Sequence, residues 1–446
     1  MTENHAQPSP ANPDDVVNPL LLQAFAWDLP ADSTHWRLLA DNAALLADCG
    51  VSSVWLPPAY KGQAGVEDVG YGVYDTYDLG EFDQKGTVPT KYGTKEDYLA
   101  AIEALHAAGI SVVADIVLNH RMGGDATEVV RATPVDPHDR TRTIGETEEI
   151  TAWTRYTFPG RAGAYSDFTW DWTCFHGTDW DEARHQQGVW LFEGKQWNEN
   201  VNDELGNYDY LMGSDVHVID PAVSAEMDRW GRWYVETTGV DGLRLDALKH
   251  VGADFFARWL PELRRATGRT LPAVGEYWSR DVAELESYLE AVPFMSLFDV
   301  PLHFHLHAAS SSNGDVDLTR LFEGTLVAAD PARAVTFVEE PRHPAGPVPG
   351  LDHRVLVQAL GLRPHPAARG RNPLRLLGRP VRHARDRRPA GRHRAAAAHD
   401  HATRPGPRPP ARRLRRPRRR RFRAGGRRGP PRLRARRCSV RPQGRH

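Results

Sequence analysis

Cysteine is scarce in this 446-residue chain: Cys49, Cys174 and Cys438 form an odd, scattered set, which excludes a disulfide framework. No apolar run is long enough to span a bilayer. Met1 to Asn18 is polar, contains several prolines and lacks the apolar segment of a secretory leader. No membrane partner is expected, and a soluble, reducing, cytoplasmic setting follows. The third shortage is local. From Pro341 onward there is no Lys, Trp or Tyr, although Trp and Tyr are frequent before it, and the stretch carries 32 Arg against three Asp. The net charge of −2 therefore joins a basic tail to an acidic remainder, and so sharp a break marks a boundary.

Before that boundary, strand and helix patterns alternate. Residues 19–25 form an apolar run that reads as a first strand, and 36–48 carry helical spacing ended by Cys49-Gly50. Residues 51–56 are a second strand stopped by Pro57-Pro58. A loop rich in Gly, Tyr and Asp follows, then a helix over 95–108 capped by Gly109 and a third strand over 110–118. Residues 121–218 lose the rhythm and are too long for a simple loop, so an inserted subdomain is expected there. The rhythm resumes with helices near 221–237, 254–266 and 281–290, a partly helical 318–327, and strands near 240–246, 271–275, 296–300 and 334–338. Seven strands in this order point to a (β/α)8 TIM barrel, whose reacting groups lie at the C-terminal strand ends.

Val240-Asp241-Gly242-Leu243-Arg244-Leu245-Asp246 is the strand the rest depends on. Arg244 and Asp246 are two apart and share a face. A guanidinium there keeps the carboxylate ionised and fixed, as a nucleophile requires. Such pairs are commonly structural, so a partner is needed. Val274-Gly275-Glu276-Tyr277-Trp278 supplies a second carboxylate at a strand end, beside rings that would raise its pKa and suit it to be a general acid. One fixed anion and one acid at neighbouring strand ends is what a retaining glycosidase needs.

Three segments resemble the signatures of the α-amylases of the glycoside hydrolase superfamily, intracellular bacterial type: Asp115-Ile116-Val117-Leu118-Asn119-His120, Gly242 to His250, and Val274 to Trp278. Trp55-Leu56-Pro57-Pro58-Ala59-Tyr60-Lys61-Gly62 and Gly206-Asn207-Tyr208-Asp209-Tyr210-Leu211-Met212 agree as well. The resemblance covers Pro19 to about Val338. It implies endo-hydrolysis of α-1,4-glucans with retention, Asp246 being the nucleophile and Glu276 the acid and then base. Arg244 would orient Asp246, with Asp115 supporting Arg244. Tyr71 would stack on the sugar, His120 and His250 would bind its hydroxyls, and Lys249 and Trp278 would line the product side. Trp170, Trp172 and Trp190 are either further sugar platforms or core. A structural Ca²⁺ would be held by Asn119, Asp209, Asp215 and the His250 carbonyl, hard oxygen donors suited to that ion. His176, Asn198 and His217 stand where relatives carry acidic ligands of a larger metal cluster, so one calcium is expected. The expected partner is an α-glucan, and the chain is expected to be a monomer.

The family's fourth signature, Phe-Val-Glu/Asp-Asn-His-Asp, should supply a third carboxylate after the seventh strand. Here the chain reads Phe337-Val338-Glu339-Glu340-Pro341-Arg342, with Arg342 in the aspartate's place. The eighth strand and a C-terminal β-sandwich are unrecognisable beyond it. The expected division is therefore 1–118 and 221–339 as barrel, 119–220 as insertion and 340–446 as anomalous tail. An Arg/Pro-rich tail is open to reading as a solvated, disordered arm or as a nucleic-acid binder. The second ranks last because only Phe422 interrupts the basic run Arg412–Arg423 with an aromatic ring, and no nucleic-acid partner is expected.

The genetic code offers a sharper explanation. One extra base after the Glu339 codon lets codons for Asn-His-Asp-Thr-Gln-Pro-Gly-Gln produce Glu340 to Pro347. The same register turns residues 357–369 into a sequence like the family's next helix. A related transglycosylase and a non-catalytic glucan-binding protein remain as rivals, the latter favoured by the missing carboxylate. Resequencing the locus is expected to return one base fewer after codon 339; an unchanged frame would remove the frameshift reading.

Overall fold

The computed structural model describes residues 19–312 and 314–338, together with the backbone of 358–360. The expectations for the tail, Arg342 included, lie outside these residues.

Seven short strands run parallel in one sheet: β1 (Leu20–Gln23), β2 (Ser53–Leu56), β3 (Ser111–Ile116), β4 (Gly242–Leu245), β5 (Ala273–Gly275), β6 (Ser296–Phe298) and β7 (Ala334–Val335). Their order in the sheet is their order in the chain. Each crossover returns the chain to the same end, so the C-terminal strand ends collect on one rim. These are seven strands of the (β/α)8 pattern, and the eighth, unrecognisable in the sequence, is not among the described residues. The place beside β1 is taken by Gln358–Leu360, which runs antiparallel to it, and among the described residues no pairing joins that strand to β7.

Helices α1 (His35–Asp48), α2 (Lys95–Ala107), α3 (Pro221–Thr238), α4 (Ala253–Thr267) and α5 (Val282–Ala291) lie within a residue or two of expectation. Their ends are chemically marked. Thr94 and Asp97 form a reciprocal capping box on α2. The Asp220 carboxylate accepts from the amides of Ala222 and Val223 ahead of Pro221, and α3 stops at Gly239, whose φ of +68° a side chain would disfavour. Trp36 on α1 is fully buried and packs on Tyr92 and Tyr98. Two departures from the sequence reading have local causes. Helix α6 (Val300–Ser311) is hidden by the alternating Leu302-His303-Phe304-His305-Leu306-His307, which imitates a strand. It starts because the Asp299 carboxylate accepts the Leu302 amide, with proline in the first turn. The expected partial helix at 318–327 is a single turn over Leu318–Arg320 and a short α7 (Leu326–Ala329).

The residues between β3 and α3 form a second sheet, antiparallel throughout. Its path is His120–Arg121, Ser214–Val216, Phe175–Asp181, Gln186–Phe192, Ala126–Asp136 and Asp139–Thr143, with Glu148–Arg155 also on Ala126–Asp136. The first of these strands starts four residues after β3 ends, so this sheet begins at the rim.

Lys61 organises the loop that carries Tyr71. Its ammonium is fully buried, donates to the carbonyls of Thr87 (2.6 Å) and Val88 (2.7 Å), and lies 3.5 Å from Asp78. Burial lowers its pKa, and Asp78 partly restores it. Replacing Lys61 by Met removes the charge and leaves those carbonyls without a donor. A loss of about 3 kcal/mol is expected, read as a lower denaturant midpoint at unchanged slope.

Candidate active site

Register alone brings the acidic groups together. The β3–β4 pairing sets Arg244 opposite Asp115, and the β4–β5 pairing sets Arg244 opposite Val274 and Leu245 opposite Gly275. Asp246 and Glu276 are thus the next residues on adjoining strands. The Asp246 amide donates to the Ile116 carbonyl (3.0 Å) and the Glu276 amide to the Leu245 carbonyl (2.9 Å). Ala247 then adopts φ +55°, a conformation uncommon for a residue with a Cβ. At Gly275 a side chain would begin 2.1 Å from Leu248, so only glycine lets the two loops pack this closely.

One buried guanidinium links three carboxylates. Arg244 Nη1 donates to Asp115 Oδ1 (2.8 Å) and to Asp246 Oδ1 (2.6 Å), and Nη2 lies 2.8 Å from Glu276 Oε2. Burial alone would lower the Arg244 pKa, but Asp115, Glu276 and Asp246 outweigh it and hold it above its ordinary value. The second oxygen of Asp115 accepts from the Tyr71 hydroxyl (2.7 Å) and the Trp55 indole (3.0 Å). Burial lifts the Asp115 carboxyl to about 7, against the opposing pull of Arg244. Asp115 is therefore enclosed by its supports. Asp246 differs: its Oδ2 is buried and has no hydrogen-bond partner among the described residues. The rings expected beside Glu276 are arranged otherwise. Its carboxylate meets Arg244 and the Ala247 amide (3.2 Å), while Tyr277 packs on Tyr288 and Trp278 on His303, Phe304 and Phe337.

Other nominated residues surround this centre. Tyr71 stacks on Trp27 with centroids 5.4 Å apart and planes 13° from parallel. Trp27 was missed, although it follows β1 at the rim where strand ends gather. His120 is buried with Nε2 2.8 Å from the Tyr71 carbonyl, and His250 Nδ1 lies 2.7 Å from the Tyr208 carbonyl. Lys249 is buried and pairs with Glu204. Trp278 is exposed. Of the two roles left open for them, Trp170 and Trp190 take that of core residues, and Trp172 packs against that core.

The four nominated calcium ligands also converge. The Asn119 amide lies 3.2 Å from the His250 carbonyl, 3.4 Å from Asp215 Oδ1 and 3.5 Å from the Asp209 carbonyl. These are hard oxygens around one side-chain amide, and turning that amide over would add a fourth, a donor set that fits Ca²⁺. The two aspartate carboxylates also meet a histidine. Asp209 Oδ2 and Asp215 Oδ2 each lie 2.9 Å from His176 Nδ1. Burial would lower the His176 pKa, but both aspartates outweigh it and raise it to about 9. His217 lies 4.3 Å from the His176 ring, centroid to centroid, and Asn198 donates its amide to Asp209 Oδ2 (2.9 Å). The three positions read from the sequence as replacing acidic cluster ligands therefore sit together.

Comparison with known proteins identifies the family. Residues 35–323 match the α-amylase catalytic domain family. The chain is 48% identical over 340 residues to an α-amylase of Bacillus licheniformis, covering 76% of this chain and 66% of that one. It is 49% identical over 333 residues to an α-amylase of Geobacillus stearothermophilus, covering 74% and 60%. With the cytoplasmic α-amylase of Escherichia coli (strain K12) the identity is 46% over 340 residues, covering 75% and 68%. The match thus spans between 60% and 68% of the length of these relatives. On the family match and these identities, the chain belongs to the α-amylase family.

Proposed function

We propose that this chain carries the site of an endo-acting, retaining α-amylase, hydrolysing α-1,4-glucosidic bonds of starch-type glucans. The observation that carries the reading is the Asp246 carboxylate, one oxygen pinned by Arg244 and the other buried and unpaired among the described residues, with Glu276 on the same guanidinium. Two carboxyls one guanidinium apart suit the separation of about 5 Å that double displacement requires.

In this mechanism Glu276 protonates the glycosidic oxygen as the bond to the anomeric carbon breaks. Asp246 Oδ2 closes on that carbon, giving a covalent glycosyl-enzyme. Glu276, now a carboxylate, takes a proton from water, which displaces Asp246 with retained configuration. Arg244 needs no movement during these steps, so its stabilisation is organised in advance. Tyr71 would stack on the reacting sugar, His120 and His250 would bind its hydroxyls, and Lys249 and Trp278 would meet the leaving chain. Asn119, Asp209, Asp215 and the His250 carbonyl would hold Ca²⁺, which supplies cross-linking charge between the second sheet and the rim. The organisation into barrel (1–118, 221–339), inserted subdomain (119–220) and tail (340–446) belongs to this proposal, as do the monomeric state and a cytoplasmic setting. A non-catalytic glucan-binding protein is the second reading, favoured by Arg342 standing where the family's third carboxylate belongs.

On soluble starch, Asp246→Asn and Glu276→Gln are each expected to lower reducing-end release by at least ~10³-fold relative to the same chain carrying the restored reading frame. Equal activity of parent and variants would remove the reading. Excess chelator is expected to lower the thermal midpoint, and added Ca²⁺ to restore it; a midpoint that does not respond would dismiss the calcium assignment.

A further inference from the structure

The alternation that disguises α6 as a strand places His303, His305 and His307 two residues apart. Wound into a helix, the same spacing sorts them onto different faces. His303 and His307 are four apart and share one face, one turn from each other, with Cβ atoms about 5–6 Å apart. His305 takes another side, its Nδ1 lying 2.8 Å from the Leu321 carbonyl.

His303 is already arranged as a metal-binding imidazole is. Its Nδ1 lies 2.7 Å from the Val338 carbonyl. A carbonyl only accepts, so Nδ1 carries the proton and the lone pair is left on Nε2. Histidines that hold metals are fixed in this way, the other ring nitrogen being given to a carbonyl or carboxylate. The ring plane is fixed as well. It stacks on Phe337 with centroids 4.8 Å apart and planes 5° from parallel, and the Trp278 ring lies 5.6 Å away. Burial lowers the His303 pKa against the pull of the Val338 carbonyl, and the charges of His307 and Arg280 lower it further. The lone pair is therefore free of a proton at neutral pH. His307 is exposed, so its ring is open to an ion arriving from solvent.

The donor set selects the ion. Val300–Ser311 contains no Asp, Glu or Cys, so ions that seek hard oxygens or thiolates find no ligand on this helix. A pair of imidazoles suits Zn²⁺, Ni²⁺ or Cu²⁺. Among the described residues no third His, Cys, Asp or Glu stands close enough to share an ion with the pair, so water completes the coordination.

We propose that His303 and His307 form a two-histidine site on α6 for a borderline divalent cation of the Zn²⁺ type. It is separate from the calcium ligands proposed above, none of which lies on α6. Because His303 packs on Trp278, an ion held there would steady the ring assigned to the leaving chain. That consequence rests on the hydrolase reading; the site itself does not.

The test is calorimetric titration of Zn²⁺ into the full-length chain, with excess Ca²⁺ present to fill hard-oxygen sites, and the thermal midpoint read at the same Zn²⁺ concentrations. His307→Ala is expected to weaken one Zn²⁺ site at least ~10-fold and to reduce the Zn²⁺-induced rise in midpoint. His305→Ala, on another side of the same helix, is expected to leave that site within about twofold of the parent. The histidines beyond residue 340 are the same in every variant, so the difference between variants isolates α6. Zn²⁺ binding that His307→Ala leaves unchanged would overturn the proposal, as would equal losses from the two substitutions. A site lost only on His176→Ala would move the ion to the buried cluster of His176, Asp209 and Asp215 and overturn it as well.

Discussion

A single buried cation, the Arg244 guanidinium, is the constraint on which the rest depends. Three carboxylates from three adjoining strands meet it, and without its charge they would repel one another in a largely buried region. The cation also sorts the acids into roles. Asp115 is enclosed by Tyr71, Trp55 and Arg244 and serves as a support. Asp246 is held by one oxygen only, and Glu276 is reached from the far end of the guanidinium. Parallel pairing makes this possible, because it delivers Asp115, Arg244 and Val274 to one level and leaves the next residues of two strands at the rim.

Much of this arrangement was legible before any coordinates. Strand alternation around Arg244 and Asp246 and the short spacing to Glu276 depend on local sequence, and local sequence encodes them well. Helix ends were legible where chemistry marks them, as with Gly50 after α1, Gly109 after α2 and Pro221 at the start of α3. Helix α6 was not, because its His–hydrophobe alternation has the period of a strand, and only the Asp299 cap reveals the turn. Long-range partners were the other blind spot. Nothing local says that Trp27 will lie under Tyr71, or that Trp170 and Trp190 will be swallowed by the core while Trp278 stays outside. Tryptophan's size fits it for either role, and tertiary packing alone decides between them.

The second sheet is joined to the rim by polar rather than apolar contacts at the point that matters for chemistry. His120–Arg121 pairs with Ser214–Val216, which places Asp215 beside Asn119. Asn119 in turn reaches the His250 carbonyl, four residues after Asp246. A displacement of the sheet would therefore be felt at Asp246 through few covalent links. The same segment holds His120 against the Tyr71 carbonyl, so Tyr71 and Asp246 are referred to one origin.

The paired faces of Asp209 and Asp215 have a consequence of their own. One set of their oxygens looks toward Asn119, the other toward His176. Under the proposed calcium reading a dissolved ion would serve the first set, whereas the counter-charge on the second arrives with the polypeptide itself and cannot be washed away. Half of the fastening is thus built in at synthesis, which loosens this lobe's reliance on the mineral supply of its surroundings.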